Sequence, residues 1–207
     1  RLRSTWAATS RAMPARFCED WEDAAMIRLN APLTAEAIRS LHAGDRVLLS
    51  GVIYTARDAA HARLCAALDA GEELPVDLRG QTVFYAGPTP TPPGKACGAI
   101  GPTTSMRMDA YAPRLYDLGL AATIGKGYRT PAVLDACVRN QALYLVAIGG
   151  AGALLGKCVT NVEMIAFEDL GAEAITRLTV SEFPVTVAID TCGNNVYATQ
   201  GADAGNR

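Results

Sequence analysis

Hydrophobic and polar positions along this chain change period repeatedly, and each change marks an element. Residues 46–54, Arg-Val-Leu-Leu-Ser-Gly-Val-Ile-Tyr, follow the turn signal Gly44-Asp45 and are apolar on both sides of a two-residue repeat. That pattern predicts a strand buried on both faces, near the centre of a sheet. Shorter apolar runs at 26–29, 82–86, 121–124, 142–148, 162–167 and 184–189 read as further strands. Between them, helical spacing predicts 35–41 behind the N-cap Thr34, 59–68 ending at Gly71, 106–118 behind Ser105, and 131–140 with Pro131 in the first turn. A small-residue helix follows Gly149-Gly-Ala-Gly152. Residues 74–80 form a turn-rich connection, and Gly87-Pro-Thr-Pro-Thr-Pro-Pro-Gly94 is barred from helix, so it is a loop of extended segments. Strands and helices in mixed order predict a layered α/β domain.

Composition sharpens that picture. A chain of 207 residues suits one compact domain, or one domain with an arm. Half the residues are hydrophobic and 19% are charged, which excludes disorder for most of the chain and leaves less polar surface than a self-contained monomer shows. Burial against a partner is expected. The formal charge of -2 gives no electrostatic reason to expect nucleic acid or anionic membrane. No apolar run is long enough to span a bilayer, and a cytoplasmic protein is expected. Cysteines at 18, 65, 97, 137, 158 and 192 show neither Cys-x-x-Cys spacing nor close Cys/His pairs. They read as mostly small buried hydrophobes in a reducing compartment, with no metal site among them. Residues 1–25 differ in character, with Arg1, Arg3, Arg11 and Arg16 and no acid before Glu19. They pass for a transit peptide on composition, but the preferred reading is a natural start at Met26 preceded by an extension or linker remnant. The tail from Gly201 is small and polar and is expected to fray.

The candidate chemistry gathers where strands give way to helices. Gly98-Ala-Ile-Gly-Pro-Thr-Thr-Ser-Met-Arg-Met-Asp109 ends a glycine-bearing approach in three hydroxyls and opens the 106–118 helix. With Ser105 as N-cap, free N–H groups and the positive dipole end would face an anion over 101–104. Arg107 in the first turn opposes the dipole, which suggests an anionic ligand unless it is merely an exposed arginine. Thr55-Ala-Arg57-Asp58, at the end of the central strand, is a second such junction. His61 falls one helical turn beyond Arg57, and a structural hydrogen bond to the backbone or to Asp58 is expected ahead of proton transfer. His42 is expected at the surface. Lys126 lies between Gly125 and Gly127, which leaves its ammonium reachable. Two phosphate-binding patterns come close and fail. Gly119 to Gly127 has one residue too many for a Walker A loop and lacks its Ser or Thr, and in Gly150-Ala-Gly-Ala-Leu-Leu-Gly156 the last glycine of a dinucleotide fingerprint falls one place late. On these patterns alone a nicotinamide oxidoreductase leads, opposed by a non-catalytic partner subunit.

Five motifs together go further. Gly101-Pro-Thr-Thr-Ser-Met-Arg-Met-Asp109, Tyr54-Thr-Ala-Arg-Asp-Ala-Ala-His61, Tyr85-Ala-Gly-Pro88, Gly125-Lys-Gly127 and Asp190-Thr-Cys-Gly-Asn-Asn195 closely resemble, in family order, the beta subunit or C-terminal domain of class I fumarate hydratases and L-tartrate dehydratases. The resemblance spans residues 26 to 197 and implies a layered β/β/α swivelling domain with a mixed sheet, occupying 26–200. It implies reversible hydration of fumarate to (S)-malate, with tartrate dehydration to oxaloacetate as the alternative. Tyr54-Thr-Ala-Arg57 and Tyr85-Ala-Gly-Pro88 look more like the fumarase branch. It also implies a [4Fe-4S] cluster held by three cysteines of an alpha subunit or N-terminal domain, one iron acting as Lewis acid on the substrate. The expected partners are therefore that alpha subunit and a C4 dicarboxylate, within a hetero-oligomer or a homodimeric assembly. Motif by motif, the resemblance assigns catalysis to Thr103, the base at malate C3, and to Lys126. Arg57, Arg107, Thr104 and Asp58 fall to substrate binding.

Overall fold

The structure, a computed structural model, describes residues 26–198; the expected N-terminal extension and the tail from Gly201 lie outside them. In chain order the strands are β1 (Ile27–Ala31), β2 (Arg46–Thr55), β3 (Thr82–Phe84), β4 (Ala122–Gly125), β5 (Leu143–Val146), β6 (Val159–Ala166) and β7 (Ile175–Ile189). The helices are α1 (Ala35–Ser40), α2 (Asp58–Asp69), α3 (Ala112–Asp117), α4 (Pro131–Arg139) and α5 (Gly152–Lys157), with 3₁₀ turns at Ser105–Met108 and Glu168–Glu173.

β1 through β5 pair side by side as parallel neighbours, and β7 runs antiparallel to β2, β5 and β6. Because β7 touches both β2 and β5, the pairings trace a closed circuit β2–β3–β4–β5–β7–β2. This is a mixed α/β sheet, as the alternation of elements predicts.

Side chains on the middle strands alternate between two apolar clusters. Phe84, Ile124 and Leu145 join Leu49, Ile53 and Phe183 in a cluster drawn largely from strands. Their neighbours Val83 and Tyr144 point the other way, against Leu64, Leu115 and Val133 of the helices. A period of two with apolar residues on both faces is what a sheet covered on both sides requires. Parallel strands joined through helices also put their C-terminal ends, and the loops leaving them, at one edge.

Two expectations need correction. The single helix over 106–118 does not exist: Ser105–Met108 is a short 3₁₀ turn, and the α-helix begins only at Ala112. Pro113 supplies the reason, because a proline is tolerated in a first turn but clashes with the carbonyl four residues back inside a helix. The last strand begins not at Pro184 but at Ile175. Pro184 sits within it opposite Leu48, beside Glu182 at φ 49° and an irregularity in the register. A proline next to a bulge interrupts the sequence pattern without ending the strand.

Candidate active site

Adjacent parallel strands deliver the polar residues to one edge. Thr55 ends β2 and leads into Arg57 and Asp58; Gly125 ends β4 and leads into Lys126. Just past β3, the Tyr85 carbonyl accepts the Thr103 N–H at 2.7 Å. Thr104 and Lys126 then form an isolated parallel bridge, and the Ser105 N–H donates to the Lys126 carbonyl at 2.9 Å. The threonine turn and the lysine loop are thus one hydrogen-bonded unit.

Ser105 is not the predicted N-cap. Its fully buried Oγ accepts the Lys126 N–H at 3.0 Å and the Tyr144 hydroxyl at 2.9 Å. This needs glycine at 125, where a Cβ would lie 1.9 Å from that oxygen. A 3₁₀ turn of this length has no dipole worth counting, so the expected helix-terminal anion site over 101–104 is withdrawn.

The cations meet instead over the start of α2. Arg107 Nη2 donates to Asp58 Oδ2 at 2.7 Å, and Arg57 Nη2 stands 3.5 Å from Asp58 Oδ1. Burial alone would raise the Asp58 pKa, but the helix-start N–H and the Arg107 and Arg57 guanidiniums outweigh it, and the carboxyl is held below its ordinary range. Asp58 therefore stays ionised and links the two arginines. Glu173, which nothing in its local sequence singles out, is ion-paired with Arg57 Nη2 at 2.9 Å and accepts from the Ala59 N–H at 3.2 Å. Thr103 and Lys126 make no side-chain hydrogen bond or ion pair among the described residues, and the Lys126 stem passes over Gly149.

A buried layer supports this edge. Arg129 donates through Nε to Asp109 Oδ1 at 2.7 Å, through Nη1 to Thr123 at 3.2 Å and through Nη2 to the Tyr85 hydroxyl at 3.4 Å. Asp109 Oδ2 in turn accepts the Thr130 N–H at 2.6 Å. His61 behaves as a structural residue: Nδ1 is 2.8 Å from the Arg57 carbonyl, which can only accept, so Nδ1 carries the hydrogen. Complete burial, with the Arg129 charge nearby, pushes its pKa down to about 4. His42 is exposed as expected.

Three of the described cysteines are placed as core residues. Cys65, Cys97 and Cys137 are buried, with thiols pushed up by burial, Cys137 to about 11. A thiolate ligand needs the opposite shift. Among the described residues no three His, Cys, Asp or Glu side chains are grouped to hold a metal ion. The near-miss dinucleotide glycines have another use. A Cβ on Gly156 would lie 2.4 Å from the Gly98 carbonyl oxygen, so this glycine lets α5 pack on the approach to the threonine turn. Among the described residues no helix is long and apolar enough to cross a membrane.

Comparison with known proteins converges on one family. The family model described as "Fumarase C-terminus" matches residues 3–200. The chain is 41% identical to fumarate hydratase 2 of Leishmania major over 157 residues, covering 75% of this chain and 28% of that protein. It is 37% identical to the anaerobic class I fumarate hydratase of Escherichia coli K12 over 180 residues, covering 84% and 33% respectively. To a putative L(+)-tartrate dehydratase subunit beta of Methanocaldococcus jannaschii it is 38% identical over 171 residues, 80% of this chain and 88% of that subunit. It thus spans about a third of the length of the fumarate hydratases it matches.

Proposed function

This chain belongs to the fumarase C-terminus family, and from that premise we propose that it is the beta half of a hydro-lyase interconverting fumarate and (S)-malate. The observation that carries the reading is the meeting, at one edge of the sheet, of the Arg57–Asp58–Arg107 chain with the Thr103–Thr104–Lys126 unit. A C4 dicarboxylate needs a cation at each end, and a guanidinium fork matches a planar carboxylate. Asp58 keeps the two forks in register, Thr104 is assigned a hydroxyl contact to the substrate, and Lys126 adds a charge with no acid paired to it among the described residues.

The elimination of water from malate removes a proton from C3 and a hydroxyl from C2. Thr103 is assigned the C3 proton: its backbone is pinned to Tyr85, its hydroxyl has no partner among the described residues, and Lys126, whose backbone bridges the next residue Thr104, is the cation assigned to favour its deprotonated form. In the hydration direction the same hydroxyl returns the proton. The cluster implied by the class I resemblance has no grouped ligand set among the described residues and is assigned to the counterpart in this reading, so the steps given to this chain are binding, orientation and proton transfer.

A separate alpha counterpart is supported by the near full-length match to a protein named subunit beta, and a cytoplasmic location by the free thiols. The same match supports L-tartrate as second substrate. Steady-state rates on fumarate, malate, L-tartrate and mesaconate, with the counterpart present, test the proposal. A kcat/KM for fumarate and malate well above that for tartrate is expected, and turnover of tartrate alone would replace the first reading with the second.

A further inference from the structure

We infer that Glu173 is the positioning residue of Arg57, setting the guanidinium in place before a carboxylate arrives; the inference rests on the carboxylate-binding reading above. One carboxylate reaches two structures at once. Its Oε1 forms an ion pair with Arg57 Nη2 at 2.9 Å, and its Oε2 accepts from the Ala59 N–H at 3.2 Å, in the first turn of α2. Arg57 is the N-cap residue of that twelve-residue helix and makes no side-chain cap bond, so Glu173 serves as the missing cap from across the fold.

The support under Glu173 is rigid. The Thr55 hydroxyl bonds the Ala174 carbonyl at 3.4 Å and the Thr176 hydroxyl at 2.6 Å, all within the buried junction of β2 and β7. Ala172 packs directly on Gly87, and Asp169 pairs with Arg63 of α2. At its other end Arg57 is fixed by its own carbonyl, which accepts both the backbone N–H of His61 at 2.9 Å and its ring Nδ1–H at 2.8 Å. Backbone and guanidinium are therefore both held, and only one part of the fork is engaged.

Arg57 Nε is buried and has no hydrogen-bond partner among the described residues. A buried, unpartnered guanidinium N–H carries a cost that the contacts around it must hold in place. The Arg57 side chain is 22% exposed, and a substrate carboxylate would meet that exposed part of the guanidinium while the buried Nε–H stays inside the fold. An arginine left free would have to be ordered by the ligand at the expense of affinity. Held by Glu173, it is ordered in advance, and because Glu173 is anionic it also cancels charge, so Arg57 contributes direction more than bulk attraction.

The test uses the assembled enzyme. Glu173→Ala should raise the malate KM about tenfold while kcat stays within about twofold, the pattern of lost ground-state binding. In an Arg57→Ala background the same change should leave KM where Arg57→Ala alone puts it, because residues acting through one another do not add. A cap acting only on stability would instead leave KM alone and lower the melting temperature in both backgrounds. A readout independent of turnover is the ¹H–¹⁵N signal of the Arg57 Nε–H, identified by its loss in Arg57→Lys; it should shift in Glu173→Ala. An unmoved Nε–H signal, or a full KM effect persisting without Arg57, overturns the inference. Failure of the wild-type enzyme on every diacid would instead overturn the substrate reading, and the spectral comparison would still decide whether Glu173 holds Arg57.

Discussion

Arg129 Nε lies 2.7 Å from Asp109 Oδ1 with side-chain exposures of 0% and 6%, the most deeply buried ion pair among the described residues. It ties the turn that carries Thr103 to Arg107 onto the loop that carries Lys126, through the second Asp109 oxygen on Thr130. Removing one partner strands a charge in the interior. Arg129→Met or Asp109→Leu should each cost about 3 to 5 kcal/mol in urea unfolding, and the double change should recover much of that loss. Single variants as stable as wild type would remove the pair from the account of how the edge is held together.

Ser105 and Gly125 should be coupled in the same way but for steric reasons. Ser105→Ala deprives the Lys126 N–H and the Tyr144 hydroxyl of their acceptor and should cost about 1 to 3 kcal/mol. Gly125→Ala forces a methyl to within 1.9 Å of Ser105 Oγ and should cost about as much or more. With the hydroxyl gone the nearest Ser105 atom is 3.2 Å away, so the second change should cost less in the Ser105→Ala background than in wild type. Chemical denaturation of the four proteins measures the coupling; strictly additive losses would contradict the contact.

Much of this was legible in the chain, and the exceptions share a cause. β2 and α2 follow from runs whose period and end signals lie within one stretch, as does α4 behind Pro131. Pro113 is a signal against the long helix, but the apolar residues around it keep helical spacing and mask it. The missed half of β7 is polar in part because Arg177 faces solvent while Leu178 and Val180 are buried, an alternation interrupted by Ser181 and Glu182. The proposed site residues were found through motifs, each confined to a few consecutive positions. Arg129, Tyr144 and Glu173 were not, because they act on residues 20, 39 and 116 positions away and leave no periodic trace. Long-range polar pairing is visible only once the strands are side by side.

His61 gives the fold a pH dependence of known sign. Burial lowers its folded pKa from 6.5 to about 4, so the unfolded chain takes up a proton first as the pH falls. Its effect on stability is nil above pH 6.5 and grows unfavourable between 6.5 and about 4, reaching about 3 kcal/mol at the low end. His61→Gln, which can still donate to the Arg57 carbonyl, should lose less stability than wild type over that window. Melting curves at pH 7 and pH 4.5 test this; parallel losses in the two proteins would show that His61 does not titrate between them.

Arg107 should tolerate lysine poorly. Only its Nη2 is engaged, by Asp58, and its side chain is 52% exposed, so a charge could be kept there without a fork. In the proposed role the fork itself matters, because lysine offers a point charge where a planar carboxylate needs paired donors. Arg107→Lys and Arg57→Lys should each cost about 2 to 4 kcal/mol in kcat/KM, with unfolding midpoints little changed. If both retain near-normal kcat/KM for malate, neither is a carboxylate clamp.

Thr103 carries the most demanding assignment, because a threonine hydroxyl is a poor base in water. The helix terminus that the apolar spacing predicts behind it is absent, since Ser105–Met108 is only a 3₁₀ turn. What remains on this chain is Lys126, whose backbone bridges Thr104 and whose ammonium has no acid paired to it among the described residues. The assignment therefore makes a linked prediction. Thr103→Val keeps the N–H that bonds Tyr85 and the shape of the side chain, and it should cut kcat by about 10²-fold or more with KM little changed, the scale of a lost general base. Lys126→Met should lower kcat as well, but in a Thr103→Val background it should add little, because its contribution acts through the hydroxyl it helps to ionise. The decisive observation is exchange of the malate C3 hydrogen with deuterated solvent in the assembled enzyme. Loss of exchange in Thr103→Val places the proton on Thr103, whereas wild-type exchange in that variant would move the base to another group, and to the counterpart first, since the free Nε2 of His61 is buried and the ring's pKa is pushed down to about 4.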